Sequence, residues 1–338
     1  MLKKYYKRVM STLDEEWESF LNNEEYDTNE KELIKIHEDP KKLCSNLYIS
    51  TKTKITYLDK PVDLDIFWKL PTISYTHEKE GIIKKQMKIT CETKEEYEKL
   101  LEKQKQAKCL VVNVIKHIDD PTAHTTFKYV CKINIGISKK DILCYKTKVK
   151  GAFYNCIVLI LRVWVDTEYK EVNVKIFNTG RLSFPGMLSD SLMEKSLDIL
   201  VDIFKNIGYD INYKANKIET VLINSNFNCG FYINRDALNN LLKYKYRFNV
   251  NYDPCSYPGI QCKYNHEGSE ISFMIFRTGS VLIVGKCEEN VLYSLYEKIK
   301  NILIDEYETI KCKQNITKVS TNKTKKKKIK RKTIYVHD

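Results

Sequence analysis

Residues 174–186 read VKIFNTGRLSFPG, and residues 273–285 read FMIFRTGSVLIVG. Held 99 positions apart, the two share Ile176/Ile275, Phe177/Phe276, Thr179/Thr278, Gly180/Gly279 and Gly186/Gly285. Each runs as a β-prone strand, breaks at Thr-Gly, and resumes with a second β-prone run. Glycine at the break supplies the positive φ that a short hairpin turn requires.

The same spacing holds into the next element. SDSLMEKSLDILVDIFKNI (189–207) and EENVLYSLYEKIKNILIDE (288–306) both carry apolar residues at the 3, 4 and 7 spacing of an amphipathic helix. Leu192/Val291, Met193/Leu292, Leu200/Ile299, Ile203/Ile302 and Phe204/Leu303 fall in register. A gap-free match through hairpin and helix predicts an internal repeat.

A second correspondence lies upstream. ISTKTKITYLDKPVDLDIFWK (49–69) aligns with INSNFNCGFYINRDALNNLLK (223–243) at an offset of 174, pairing Tyr57/Phe231, Leu64/Leu238, Phe67/Leu241, Trp68/Leu242 and Lys69/Lys243. Each reads as a strand followed by a short helix. The chain therefore divides into an arm (1–43), a double repeat (44–310) and a tail (311–338). Repeat one spans 44–212 and contains an insertion over 78–148; repeat two spans 213–310. The insertion has its own helix pattern, ETKEEYEKLLEKQKQ (92–106), and several strand-like runs.

Composition bounds the function. Lys and Arg number 57 against 44 Asp and Glu, for a net charge of +13. KTKKKKIKRK (323–332) supplies eight of those cations, and a positive balance remains on the rest, which suits a polyanion partner. The eleven cysteines are scattered without metal-ligand spacing, so small buried side chains in a reducing compartment are expected, with no zinc and no cofactor. No run reaches the roughly 18 apolar residues of a membrane span, and the start lacks the apolar core of a secretory signal. A soluble, intracellular, monomeric protein is expected. No paired acids, no nucleophile with its base and no glycine-rich phosphate loop stand out, so an enzyme is not expected.

A strand–helix–sheet–helix unit used twice resembles the TATA-box-binding-protein family. The family's hairpin has the form I-F-x-S-G-K-x-x-x-T-G, and IFNTGRLSFPG and IFRTGSVLIVG are similar to it. NIGYDINYKANKIET (206–220) resembles the family's passage from helix to strand, and SYPGI (256–260) its L-F-P-G-L. GAFYNCIVLI (151–160) and the enlarged first repeat look closer to the TATA-binding-like proteins of large nucleocytoplasmic DNA viruses. The resemblance implies an α+β fold. Two repeats would form one curved antiparallel sheet, helices on its convex face and a concave face over DNA.

It also implies a general transcription factor that binds and bends AT-rich promoter DNA through the minor groove. The bend associated with TATA-binding proteins is about 80°, driven by apolar wedges between base steps. Phe177 and Phe276 match the hairpin wedges. Tyr257 falls at the second wedge of repeat two, and Tyr154 or Phe153 at that of repeat one. Tyr154 is preferred on the family's aromatic–small–small–apolar pattern. Arg162, Arg181 and Lys263 fall at positions that reach phosphates. A transcription-factor-B-like protein and an RNA polymerase are the implied partners. The implied compartment is the nucleus or a cytoplasmic viral factory, with packaging in the virion a further alternative.

Departures from the family pattern leave a TATA preference open. Pro185 and Val284 replace its hairpin Thr, and Thr220 and Leu47 (or Asn46) stand where it has a base-reading Asn. The acidic stretch STLDEEWESFLNNEEYD (11–27) has a capping box at Thr12/Glu15 and an apolar helix face. It would dock on another transcription protein, cover the basic face, or pack on its own domain. The rival function keeps the saddle as a scaffold that recruits transcription proteins without touching DNA.

Overall fold

The computed structural model describes residues 43–107, 110–122, 124–143 and 153–312. The acidic stretch and the basic tail lie outside them. In chain order the elements are β1 (Tyr48–Tyr57), α1 (Ile66–Lys69), β2 (Gly81–Cys91), α2 (Lys94–Lys105), β3 (Leu110–Asp119), β4 (Phe127–Gly136) and α3 (Lys139–Leu143). They continue as β5 (Cys156–Val165), β6 (Glu168–Phe177), β7 (Arg181–Pro185), α4 (Asp190–Asn206), β8 (Glu219–Asn228), α5 (Arg235–Asn240), β9 (Asn249–Asn251), β10 (Ile260–His266), β11 (Ser269–Ile275), β12 (Ser280–Gly285), α6 (Glu289–Asp305) and α7 (Tyr307–Ile310). No helix among the described residues is long and apolar enough to cross a membrane.

The strands form one saddle-like sheet, β3-β4-β2-β5-β6-β7-β1-β8-β12-β11-β10-β9, open at both edges and antiparallel at every pairing. Strand alternation sends every second side chain to one face. One face carries the helices. Beneath α4 lie Leu159, Leu161, Val174, Ile176, Leu182 and Phe184; beneath α6 lie Phe227, Phe273, Ile275, Val281 and Ile283. The two helices are 17 residues each and bury matched positions: Met193/Leu292, Ser196/Leu295, Leu197/Tyr296, Leu200/Ile299 and Phe204/Leu303.

Both long helices are on the same face, and β1 shows it. Lys52 and Lys54 share one side of that strand; Lys54 pairs with Asp190 at the start of α4, and Lys52 with Glu289 at the start of α6, at 2.5 Å. Placing carboxylates in the first turn also suits the helix dipole.

The repeats meet at β1 and β8, and their register gives the symmetry. Lys52 pairs with Ile223, Thr53 with Leu222 and Thr51 with Asn224, while Ser50 and Val221 bulge out. Exchanging the strands at an offset of 171 maps Lys52–Ile223 onto itself, the other two pairs onto each other, and one bulge onto the other. The hairpins agree. Leu58 N–H donates to Gly180 as Cys229 N–H does to Gly279, and Val62 donates to Asn178 as Ile233 does to Arg277. The upstream offset of 174 is thus corrected to 171, which puts buried Phe67 opposite buried Leu238. Gly180 and Gly279 have φ of +82° and +84°, and an added Cβ would lie 2.7 Å from the Lys60 carbonyl oxygen and 2.5 Å from that of Phe231.

β2 flanks β5 as β9 flanks β10, so the surplus of repeat one over repeat two is α2, β3, β4 and α3. Thr93 caps α2 by accepting from the Glu96 N–H, and Tyr97 of that helix packs on His117, Phe127 and Tyr129. These three side chains continue the helix-bearing face of the sheet. Five cysteines, at 91, 131, 156, 229 and 262, are buried. Burial pushes the Cys229 and Cys262 thiols up to about 12.

Candidate nucleic-acid interface

Among the described residues, the opposite face carries no helix over β7–β12; on β2 and β6 the short α3 sits on it, its Lys139 N–H donating to Glu171 and its Asp141 pairing with Lys84. In β8 it presents Leu222, Asn224, Asn226 and Asn228, and in β12 Ser280, Leu282 and Val284, all half-buried. β10 and β9 add Gln261, Asn249 and Asn251. Asn224 donates to the Thr51 hydroxyl at 2.7 Å across the symmetry axis. Asn226 makes no side-chain hydrogen bond among the described residues. These amides are not among the sequence-derived site residues, although alternate Asn at 224, 226 and 228 in a predicted strand is a legible signal. Thr220 pairs with Lys54 on the helix-bearing face, and Leu47 packs into the second core, so neither is presented on the opposite face.

Two aromatic pairs flank this face. Tyr257 and Phe276 have ring centroids 6.0 Å apart at 55°; Phe153 and Phe177 are 6.2 Å apart at 56°. Phe177 ends β6 and Phe276 directly follows β11, five strand spacings apart, or roughly 24 Å across a flat sheet. Both are half-buried on the helix-free face. The Tyr257 hydroxyl lies 3.4 Å from the Met274 sulfur, and burial pushes its acidity down, raising the pKa above that of a free phenol.

Phe153, not Tyr154, is the ring against Phe177, which corrects the preference for Tyr154. Ile157 and Ile260 pair with equivalent residues, Ile176 and Ile275, so Tyr154 and Tyr257 stand at the same count before their strands. The paths then differ. Gly259 in repeat two has Tyr257 and Phe276 ring carbons 3.0 Å from where a Cβ would be. Repeat one has Cys156 at that count, its side chain buried on the same face. With that volume filled, Phe153 makes the contact and Tyr154 turns away, its ring 3.5 Å from the Lys88 ammonium.

The three expected phosphate contacts separate. Arg181 is exposed, its guanidinium 5.6 Å from the Phe177 ring centroid. Lys263 is exposed and ion-paired with Glu270 at 2.8 Å. Arg162 is a correction: it is 7% exposed and donates to the backbone carbonyls of Lys79 at 2.9 Å and Tyr75 at 2.8 Å. It anchors the loop leading into β2 and is not presented to a ligand. Pro185 and Val284 both lie on the helix-free face, paired with Thr53 and Asn224. No cluster of three or more His, Cys, Asp or Glu with metal-site geometry occurs among the described residues.

A two-repeat α+β sheet with its long helices on one face and twofold-related aromatic pairs on the other defines a TATA-binding-protein-like fold. Residues 217–305 match the family model of transcription factor TFIID, or TATA-binding protein. Over 223 residues the chain is 27% identical to a TATA-box-binding protein-like protein of Acanthamoeba polyphaga mimivirus, covering 55% of this chain and 59% of that one. The chain thus spans about three fifths of that relative's length. Among solved structures, the Methanococcus jannaschii TBP aligns at a TM-score of 0.41 and 16% identity, over 78% of this chain and 99% of that one. By family model and viral relative, the chain is similar to the TATA-box-binding proteins.

Proposed function

We propose that this chain is a transcription factor that binds duplex DNA in the minor groove across its helix-free face and bends it. The observation that carries the reading is the pair of aromatic clusters, Phe153/Phe177 and Tyr257/Phe276, matched within 0.2 Å and 1° and half-open at symmetry-related places. Rings held this way are wedges for base steps, and unstacking is offset by the larger contact that a bent duplex makes. Between them lie uncharged amides and small apolar side chains. That surface suits the minor groove, whose A·T pairs show only acceptors, while G·C adds the guanine amine. Arg181 stands beside a wedge where it reaches phosphate, and Lys263 does so by exchanging Glu270 for the DNA. A transcription-factor-B-like protein and an RNA polymerase complete the proposed assembly.

Phe177→Ala and Phe276→Ala test it with end-labelled AT-rich duplexes. Each variant is expected to lose most of the bend, read by energy transfer, and to bind roughly 30-fold more weakly, the effect of losing an interface residue worth about 2 kcal/mol. A well-folded double variant that bends DNA like the natural chain would overturn the wedges and return the scaffold reading.

A further inference from the structure

The helix-free face does not stop at the repeat. The row holding Phe177 and Cys156 continues through Lys88 of β2, level with Cys156, to Lys132 of β4 opposite it. The next rows place Lys116 opposite Val130, and Lys128 opposite Ile118. Strand alternation puts all of these on the side away from α2, whose partners Tyr129 and Phe127 point the other way. No Asp or Glu projects from β3, β4 or the Gln86–Thr90 part of β2 on this side. Lys88, Lys116 and Lys128 form no ion pair among the described residues. Tyr154, 62% exposed, stands over Lys88, and the ammoniums of Lys88, Lys128 and Lys116 together hold its hydroxyl below the usual phenol range.

We infer that β2 and the inserted strands β3 and β4 are a phosphate-binding extension of the DNA face, gripping duplex backbone beyond the wedge beside Phe177. Lys88, Lys116 and Lys128 supply the charge, and Tyr154 orients Lys88. The inference rests on the minor-groove reading and adds an asymmetry to it. β9 is the last strand at the other edge and has no such extension. Three strand spacings are about 14 Å, which is about four base pairs at roughly 3.4 Å each. The extension lies outside residues 217–305, the part of the chain that matches the family model. Lysines aimed at phosphates confer affinity and salt dependence without reading sequence.

The test compares the full chain with Lys88→Gln/Lys116→Gln/Lys128→Gln. Two AT-rich duplexes serve as probes: one limited to the bent site, and one with about ten further base pairs at each end. On the long duplex the natural chain should give a hydroxyl-radical footprint reaching about four base pairs farther on one side. The triple variant should give a symmetric one. Its salt slope should be shallower by about 2.7, or about 0.9 per lysine, so the natural chain's advantage shrinks roughly 40-fold from 50 to 200 mM salt. On the short duplex both should bind and bend alike. A triple variant with unchanged slope and footprint on the long duplex, while the short one is still bent, overturns the extension alone. If the natural chain bends neither duplex, the minor-groove reading falls and takes the extension with it.

Discussion

The two halves of the helix-free face share a backbone plan and differ in chemistry. Repeat two offers amides: Asn224, Asn226, Asn228, Asn249, Asn251 and Gln261, with its one outer lysine, Lys263, neutralised by Glu270. Repeat one offers cations: Lys175 and Arg181 beside the Phe153 and Phe177 rings, then Lys88, Lys116 and Lys128 on the strands beyond. Amides match base edges and lysines match phosphates, so the halves are suited to different parts of one ligand. The internal repeat fixed where the strands and the paired aromatic rings stand. The surplus strands of repeat one then broke the equivalence of the two ends.

The largest expected effect contrasts buried and open rings on opposite faces. Phe204→Ala removes a fully buried ring from beneath the sheet and should cost about 3–5 kcal/mol, lowering the melting point by about 10 °C. Phe177→Ala takes away a half-open ring and should leave the melt nearly unchanged. Equal losses from both would mean that Phe177 is core, and the two faces would not differ as described.

Next are the hairpin glycines, where the halves should behave alike. Gly180→Ala and Gly279→Ala each force a side chain into positive φ and against a carbonyl, at about 1–3 kcal/mol for the backbone alone. Chemical denaturation should give similar losses, slightly larger at Gly279, where the carbonyl is closer. A marked loss at only one glycine would show the hairpins to be unequal in solution.

The smallest effect belongs to repeat one alone. Lys85 is buried and donates to the carbonyls of Leu70 at 2.6 Å and Phe67 at 2.7 Å; burial lowers its pKa to about 8. Between about pH 8 and 10.5 the unfolded chain binds the extra proton, so stability rises with pH across that window. The natural chain should therefore gain on Lys85→Met as pH increases from 8 to 10. A constant difference would mean that Lys85 stays charged in its pocket.

Much of this was legible in the chain itself. The hairpins and long helices needed only local periodicity and the 99-residue offset, and the structure buries the same five positions in both helices. The upstream offset slipped by three because the two strands share few identities, and apolar residues there recur too often to exclude a neighbouring alignment. Hydrogen bonds from Leu58 to Gly180 and from Cys229 to Gly279 settle it, and both connect residues distant in the chain.

By itself, then, the sequence determined the repeated units, the turn glycines, the equivalent places of Phe177 and Phe276 and the excess of positive charge. These depend on spacing within one element, which a linear chain displays directly. Only the tertiary structure decided that Phe153 and not Tyr154 meets Phe177, because the volume of Cys156 against the emptiness of Gly259 redirects the chain. Only it decided that Arg162 is sequestered under a loop, and that Lys88, Lys116 and Lys128 share the face of Phe177. Each of those facts depends on which strands become neighbours, and non-local pairing is not written in the order of the residues.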